Sequence, residues 1–175
     1  GMLDEIITRI VDVLLALPFL LLALVVAVTI GQGLLIMIGL LTVAAWVGLV
    51  RNIRAQVLSL KNMDYVQLAR VAGASDYRIM LRHIFPGTTN IVVVLATLRV
   101  GGLILAESGL SYLGAGIPAH IPTWGLMISD GRDYLQTAWW VSVFPGIGIF
   151  LTVMSMNFLG DWMRDRFDPR LRQLR

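Results

Sequence analysis

The chain has 175 residues, 57% of them hydrophobic and 14% charged, and its mean hydropathy is +0.79. Soluble domains sit near ~45–50% apolar, so the composition excludes an ordinary soluble domain and calls for a membrane protein. The net charge of +3 comes from basic residues gathered between apolar runs, a positive-inside pattern rather than a nucleic-acid surface, and the absence of Cys rules out disulfides and thiolate metal sites.

Residues 1–12 carry Asp4, Glu5, Arg9 and Asp12, with Leu3, Ile6, Ile7 and Ile10 on one helical face. This predicts an interfacial helix leading into the bilayer. No charged residue occurs from Val13 to Val50, which is too long for one span of about 20 residues. Gly31-Gln32-Gly33 breaks the run, so two spans are expected, roughly 13–30 and 34–51, joined by a very short turn. Pro18 falls in the first turns of the first span, where it costs least.

Residues 51–86 hold Arg51, Arg54, Lys61, Arg70, Arg78 and Arg82 against Asp64 and Asp76, which places this loop in the cytoplasm. Asp64 can cap a helix with Gln67 in capping-box position. Tyr65, Ala69 and Ala72 share its apolar face, and Gly73 stops it. Ser75 or Asp76 can start a second helix running through Arg78 and Arg82 towards Pro86. A third span is expected over 87–107 and an external loop over 108–137. A fourth span opens on the aromatic belt of Trp139 and Trp140 and reaches about Gly160. The tail, 161–175, returns five Arg to the cytoplasm. Four spans put both ends inside, in one membrane domain over 1–160 followed by the tail.

Asp64–Pro86 resembles the EAA loop of permease subunits in ABC importers. Gln67-Leu68-Ala69 stands where that loop has Glu-Ala-Ala, Gly73 is in register, and Ile84-Phe85-Pro86 closes the pattern. Gln67 and Leu68 depart from it, so a role needing a carboxylate at 67 does not carry over, while the helix–Gly–helix shape does. The stretches DEIITRIVDVLLALP, ESGLSYLGAGIPAHIPTWGLMISDGRDYL and NFLGDWMRDRFDPRLR extend the likeness to nearly the whole chain. They are similar to the C-type subunit of dipeptide, oligopeptide and nickel permeases.

The resemblance implies an all-α, polytopic type I ABC importer fold of about four spans plus cytoplasmic coupling helices, in a bacterial or archaeal inner membrane. Gly1-Met2 lacks the basic n-region and cleavage site of a signal peptide, so the chain is expected to start at a tag scar or part-way through a longer protein. The resemblance implies the second, since in the family one or two earlier spans and an external segment come before a stretch like Gly1–Pro18. It further implies a second permease subunit, two cytosolic ATPases, an external substrate-binding protein and contact with membrane lipid, for di/oligopeptides or another solute such as nickel. Lys61 is the only lysine and follows no Gly-rich loop, so no phosphate-binding motif is present. ATP and Mg are expected on partner subunits, and this chain is expected to be neither an enzyme nor a cofactor carrier.

The ATPase-docking surface is expected at Gln67, Ala69, Arg70, Gly73, Ala74, Ser75, Asp76 and Arg78. Arg99 lies about twelve positions into the third span, roughly 18 Å along a helix. A charge at that depth usually faces a cavity or partner. It is therefore a candidate for the translocation path or a subunit interface, the alternative being a later-starting span from which it snorkels. Glu107, about 12 Å further along the axis, is not expected to pair with it, and Asn157 is read as packing between helices. Two rival classes are weighed. A self-sufficient secondary transporter is disfavoured by the scarcity of buried acids. An intramembrane serine protease would use Gly109-Leu110-Ser111 with His120, but His120 falls in a Pro-rich loop rather than on a membrane helix.

Overall fold

The computed structural model describes residues 1–167, all helices and connections with no strand among them. Helix α1, Met2–Ala16, ends where Leu17 turns extended (φ −93°, ψ 128°), and α2, Phe19–Thr29, sets off at 85° to it. Pro18 causes the break: it has no amide hydrogen and its ring drives the preceding residue out of the helical region. The single span expected over 13–30 is thus replaced by a bent pair. Helix α2 has 11 residues and rises only about 16 Å against a hydrocarbon core of about 30 Å, so α2 alone is too short to cross.

Gly31, at φ +106°, turns the chain into α3, Leu34–Lys61, as short a connection as expected. The Gln32 amide donates to the Gly114 carbonyl and ties this turn to a distant loop. At the other end of α3, Arg54 grips both carboxylate oxygens of Asp4 at 2.7 and 2.9 Å, and Arg51 donates to Asp12 at 2.7 Å. These pairs hold α1 beside the end of α3 next to the 62–84 loop. Both are solvent-facing, so their value lies in geometry more than in stability.

That loop contains α4, Asp64–Val71, and α5, Asp76–Ile79. The second helix does not stop at Pro86. It passes through a π-helical turn, Met80–Ile84, into α6, Phe85–Tyr112, with Phe85 N–H bonded to the Met80 carbonyl. The wider turn accommodates a proline that cannot donate to the carbonyl four residues back. Asp76–Tyr112 is consequently one 37-residue run.

The stretch expected as an external loop folds further than foreseen. A short helix, α7 (Trp124–Gly131), and a 3₁₀ turn (Arg132–Tyr134) follow α6, and Thr123 caps α7 by accepting from Leu126 N–H at 3.2 Å. Helix α8, Trp140–Phe167, carries Pro145 inside it and continues past Gly160, so the expected tail begins within the helix. Its residues 168–175 lie outside the described residues. Three helices are long and apolar enough to cross a membrane, four if α1 and α2 together count as one span.

Ala23 of α2, Met37 of α3, Leu110 of α6 and Ala115 form a buried cluster, with Phe19, Leu40 and Ile117 around it. Elsewhere the helices meet through glycine. A methyl on Gly160 would overlap the Leu98 side chain, and one on Gly101 would stand 3.2 Å from Asn157 Oδ1. Asn157 therefore sits between α6 and α8 as expected. Gly125 of α7 lies directly on the Ser108 backbone. Overpacking such a contact costs about 1–3 kcal/mol, so Gly125→Val should lower the thermal midpoint of the detergent-purified protein. Gly102→Ala, with open space around it, should not. Fluorescence-detected size exclusion after heating checks both.

Candidate functional site

Local chemistry, rather than burial, shapes the 62–84 loop. Asp64 is the first helical residue of α4, not its cap; Met63 holds the cap position without a side-chain bond. Gln67 does not close a capping box either. Its Nε2–H donates to the Lys61 carbonyl at 2.9 Å and so seals the end of α3. A carboxylate, which can only accept, could not make this bond, so the departure from Glu has a structural use here.

Gly73 behaves as its position predicts. At φ +79°, its N–H meets the Arg70 carbonyl at 3.0 Å and Ala74 N–H meets the Ala69 carbonyl at 3.0 Å. This is the paired closure of a Schellman motif, which a residue with a Cβ resists at positive φ. Ser75 is the cap of α5, accepting from Arg78 N–H at 3.4 Å, with Asp76 in the first turn. The buried anchors are Val66 and Ile79, not the Tyr65–Ala69–Ala72 face, of which Tyr65 and Ala72 are exposed. Tyr65 instead packs on His83, their rings 6.2 Å apart.

Of the eight residues expected to dock a partner, Gln67, Arg70, Gly73, Ser75, Asp76 and Arg78 are exposed, while Ala69 and Ala74 are half-buried inside the turn. Sequence reasoning missed the exposed apolar residues among them. Leu68, Val71 and Tyr77 stand 68%, 87% and 68% exposed beside the two arginines. Apolar periodicity assigns such residues to a core, and only the fold shows that Val66 has taken that place.

Arg99 lies mid-way along α6, fourteen residues after Phe85. It is exposed and makes no ion pair among the described residues. The guanidinium lies across α3 at Gly48, where a Cβ would collide with it. Around it is a cavity of about 460 Å³ lined by apolar residues, including Leu17, Pro18 and Phe19 at the α1–α2 bend, Val47 and Ala106. Glu107 does not pair with Arg99; it accepts from Ser111 Oγ at 2.7 Å and Ser108 Oγ at 3.4 Å. Ser111 is buried and committed to that carboxylate, with no bond to His120, so the geometry of a serine nucleophile with a histidine base is not formed.

Residues 1–173 match the family described as binding-protein-dependent transport system inner membrane component. The chain belongs to that family. It is 42% identical over 174 residues, 99% of its length, to the dipeptide transport system permease protein DppC of Bacillus subtilis (strain 168), covering 54% of that protein. A putative peptide transport system permease protein of Brucella suis biovar 1 (strain 1330) is 42% identical over 97% of the chain and 57% of the relative. The glutathione transport system permease protein GsiD of Escherichia coli O6:K15:H31 (strain 536 / UPEC) is 41% identical over 98% of the chain and 57% of the relative. The chain thus spans about half the length of the curated relatives it matches. Family membership and the apolar helices put it in a membrane as part of a transport system.

The left-handed glycine is the loop's most sensitive point. Forcing a β-branched residue into that conformation costs about 1–3 kcal/mol. Gly73→Val should therefore speed amide hydrogen exchange across 64–79, whereas Gly73→Asn, which tolerates positive φ, should leave most of the protection.

Proposed function

We propose that this chain is the core of a permease subunit of an ATP-driven importer of di- or oligopeptides. It forms half of the translocation path and couples to ATPase subunits through the 62–84 loop. The observation that carries the reading is that loop: two short helices locked at Gly73, presenting Arg70, Arg78, Leu68, Val71 and Tyr77 to solvent in a member of a binding-protein-dependent transport family. Exposed apolar side chains beside fixed charges suit a groove on another protein. The peptide as substrate is supported by the relatives named for dipeptide, peptide and glutathione transport.

In this reading the 62–84 loop and both ends of the chain are cytoplasmic, which the basic residues of 51–86 favour, in the inner membrane of a bacterium or archaeon. A second homologous permease completes the path, and an external substrate-binding protein delivers the solute. Two cytosolic ATPases hold ATP and Mg. Their closure moves the loop, and the continuous Asp76–Tyr112 run carries the displacement to the far side, giving alternating access. Arg99 lines the path, where its guanidinium can meet a peptide carboxylate.

Reconstituted transporter tests this. Arg70→Glu with Arg78→Glu should cut ATP-driven peptide uptake by at least roughly tenfold, since like charges across an interface cost several kcal/mol, while the protein still inserts and assembles. Normal uptake in that variant would count against the coupling role. Arg99→Ala should lower uptake without loss of assembly, and unchanged uptake would remove Arg99 from the path.

A further inference from the structure

The end of α6 far from the 62–84 loop holds a second charged cavity, which the coupling loop and Arg99 do not explain. It has a volume of about 450 Å³ and is lined by Glu107, Ile117, Pro122, Thr123, Trp124 and Met127. Its volume falls within the range of small-ligand sites, about 300–1,000 Å³, and its mouth is wide open.

Its polar wall is built rather than incidental. Glu107 accepts from the hydroxyls of Ser111 (2.7 Å) and Ser108 (3.4 Å), both of them buried. Gly116 passes directly over Ser111 and Gly125 over Ser108, each so close that a Cβ would overlap backbone atoms. The serine backbones are thus held closely by the loop and by α7, with both hydroxyls on the Glu107 carboxylate. Trp124 is fixed in the same manner: a methyl on Gly148 of α8 would stand 3.3 Å from its indole.

An ionised carboxylate has about four lone-pair sites, and two hydroxyls leave the others open. Among the described residues no Lys or Arg forms an ion pair with Glu107. A carboxylate beside an indole, with no cation, is complementary to an ammonium group, through charge-assisted hydrogen bonds and attraction to the ring face. A metal fits poorly: Ca²⁺ and Mg²⁺ take about six oxygens where one carboxylate supplies two, and among the described residues no group of three or more His, Cys, Asp or Glu could hold a metal ion. Ile117, Pro122 and Met127 on the remaining walls suit a hydrocarbon substituent next to the charge.

We propose that this cavity binds the primary ammonium of the peptide substrate, its N-terminus, at the entrance of the path. The proposal rests on the peptide-permease reading for the identity of the ligand, while the cation preference of the cavity stands on geometry alone. It makes Glu107 and Trp124 specificity-determining residues and gives the path opposite poles, with a carboxylate at the entrance and Arg99 deeper in.

The chain contains no Cys, so Met127→Cys places one thiol in this subunit, at the cavity wall. In the assembled transporter, its modification by a methanethiosulfonate carrying an ammonium is compared with that by one carrying a sulfonate, the modified peptide being located by mass spectrometry. The cationic reagent should react faster by on the order of tenfold, the scale set by one charge a few ångströms away in a part-hydrated site. Adding Glu107→Gln should bring the two rates together. A dipeptide with a free amino terminus should slow modification, and its N-acetyl derivative should not. Equal rates for both reagents with Glu107 present would overturn the site. So would equal or absent protection by the two peptides, the result expected if a partner's Lys or Arg already fills the cavity. ATP-driven dipeptide uptake measured in parallel keeps the two questions apart. No uptake would overturn the peptide reading and with it this ligand, whereas uptake without reagent preference would overturn only the site.

Discussion

Helices in a bilayer gain little from burying apolar surface, because lipid is as apolar as their own side chains; they associate where backbones approach closely. The packing around α6 depends on glycines that allow such approach. Gly160 admits Leu98, Gly101 admits Asn157 and Val153, Gly48 admits the Arg99 guanidinium, and Gly125 and Gly116 lie on the serines at its far end. Helix α6 is thereby the axis on which α3, α7 and α8 are assembled. It is also the element that begins in the 62–84 loop.

Three prolines in or beside helices meet three fates, and the differences set the shape. Pro18 follows a residue free to extend, and the chain turns by 85°. Pro86 is absorbed by a π turn, so the helix is rewound but not cut. Pro145 lies in the first turns of α8, and the helix continues. If Pro86 cut the chain as Pro18 does, the 62–84 loop would hang on a joint. As built, α5, the π turn and α6 form one continuous helical run, and the Gln67 bond to Lys61 ties the other side of the loop to α3.

The two charged groups of α6 are handled in two ways. Glu107 is supplied with hydroxyl donors from its own helix. Arg99 has none among the described residues, and rests on a glycine at the edge of an apolar cavity. A charge kept at mid-helix without a partner is costly in hydrocarbon, which is the ground on which the proposed function puts Arg99 on the path. The cavity wall that includes Leu17, Pro18 and Phe19 is the α1–α2 bend, which links the shape of this site to the one joint in the membrane part.

Composition alone was enough to make this a helical membrane protein, and the residue types around Gly73 were enough to define helix, left-handed turn and capped helix. Those features are local: a positive φ wants glycine, a helix start wants serine, and a long uncharged run wants lipid. The exposure of Leu68, Val71 and Tyr77 was not legible, because it depends on Val66 and Ile79 taking the buried places. What only tertiary structure decided is non-local. Whether Pro18 or Pro86 breaks its helix depends on what packs around the turn. Whether the 108–137 stretch is loose or holds α7 depends on glycines meeting serines some 5 to 17 residues away. That Glu107 and Trp124 line one cavity follows from α6, α7 and α8 being drawn together, because no periodicity within one helix records what stands beside it.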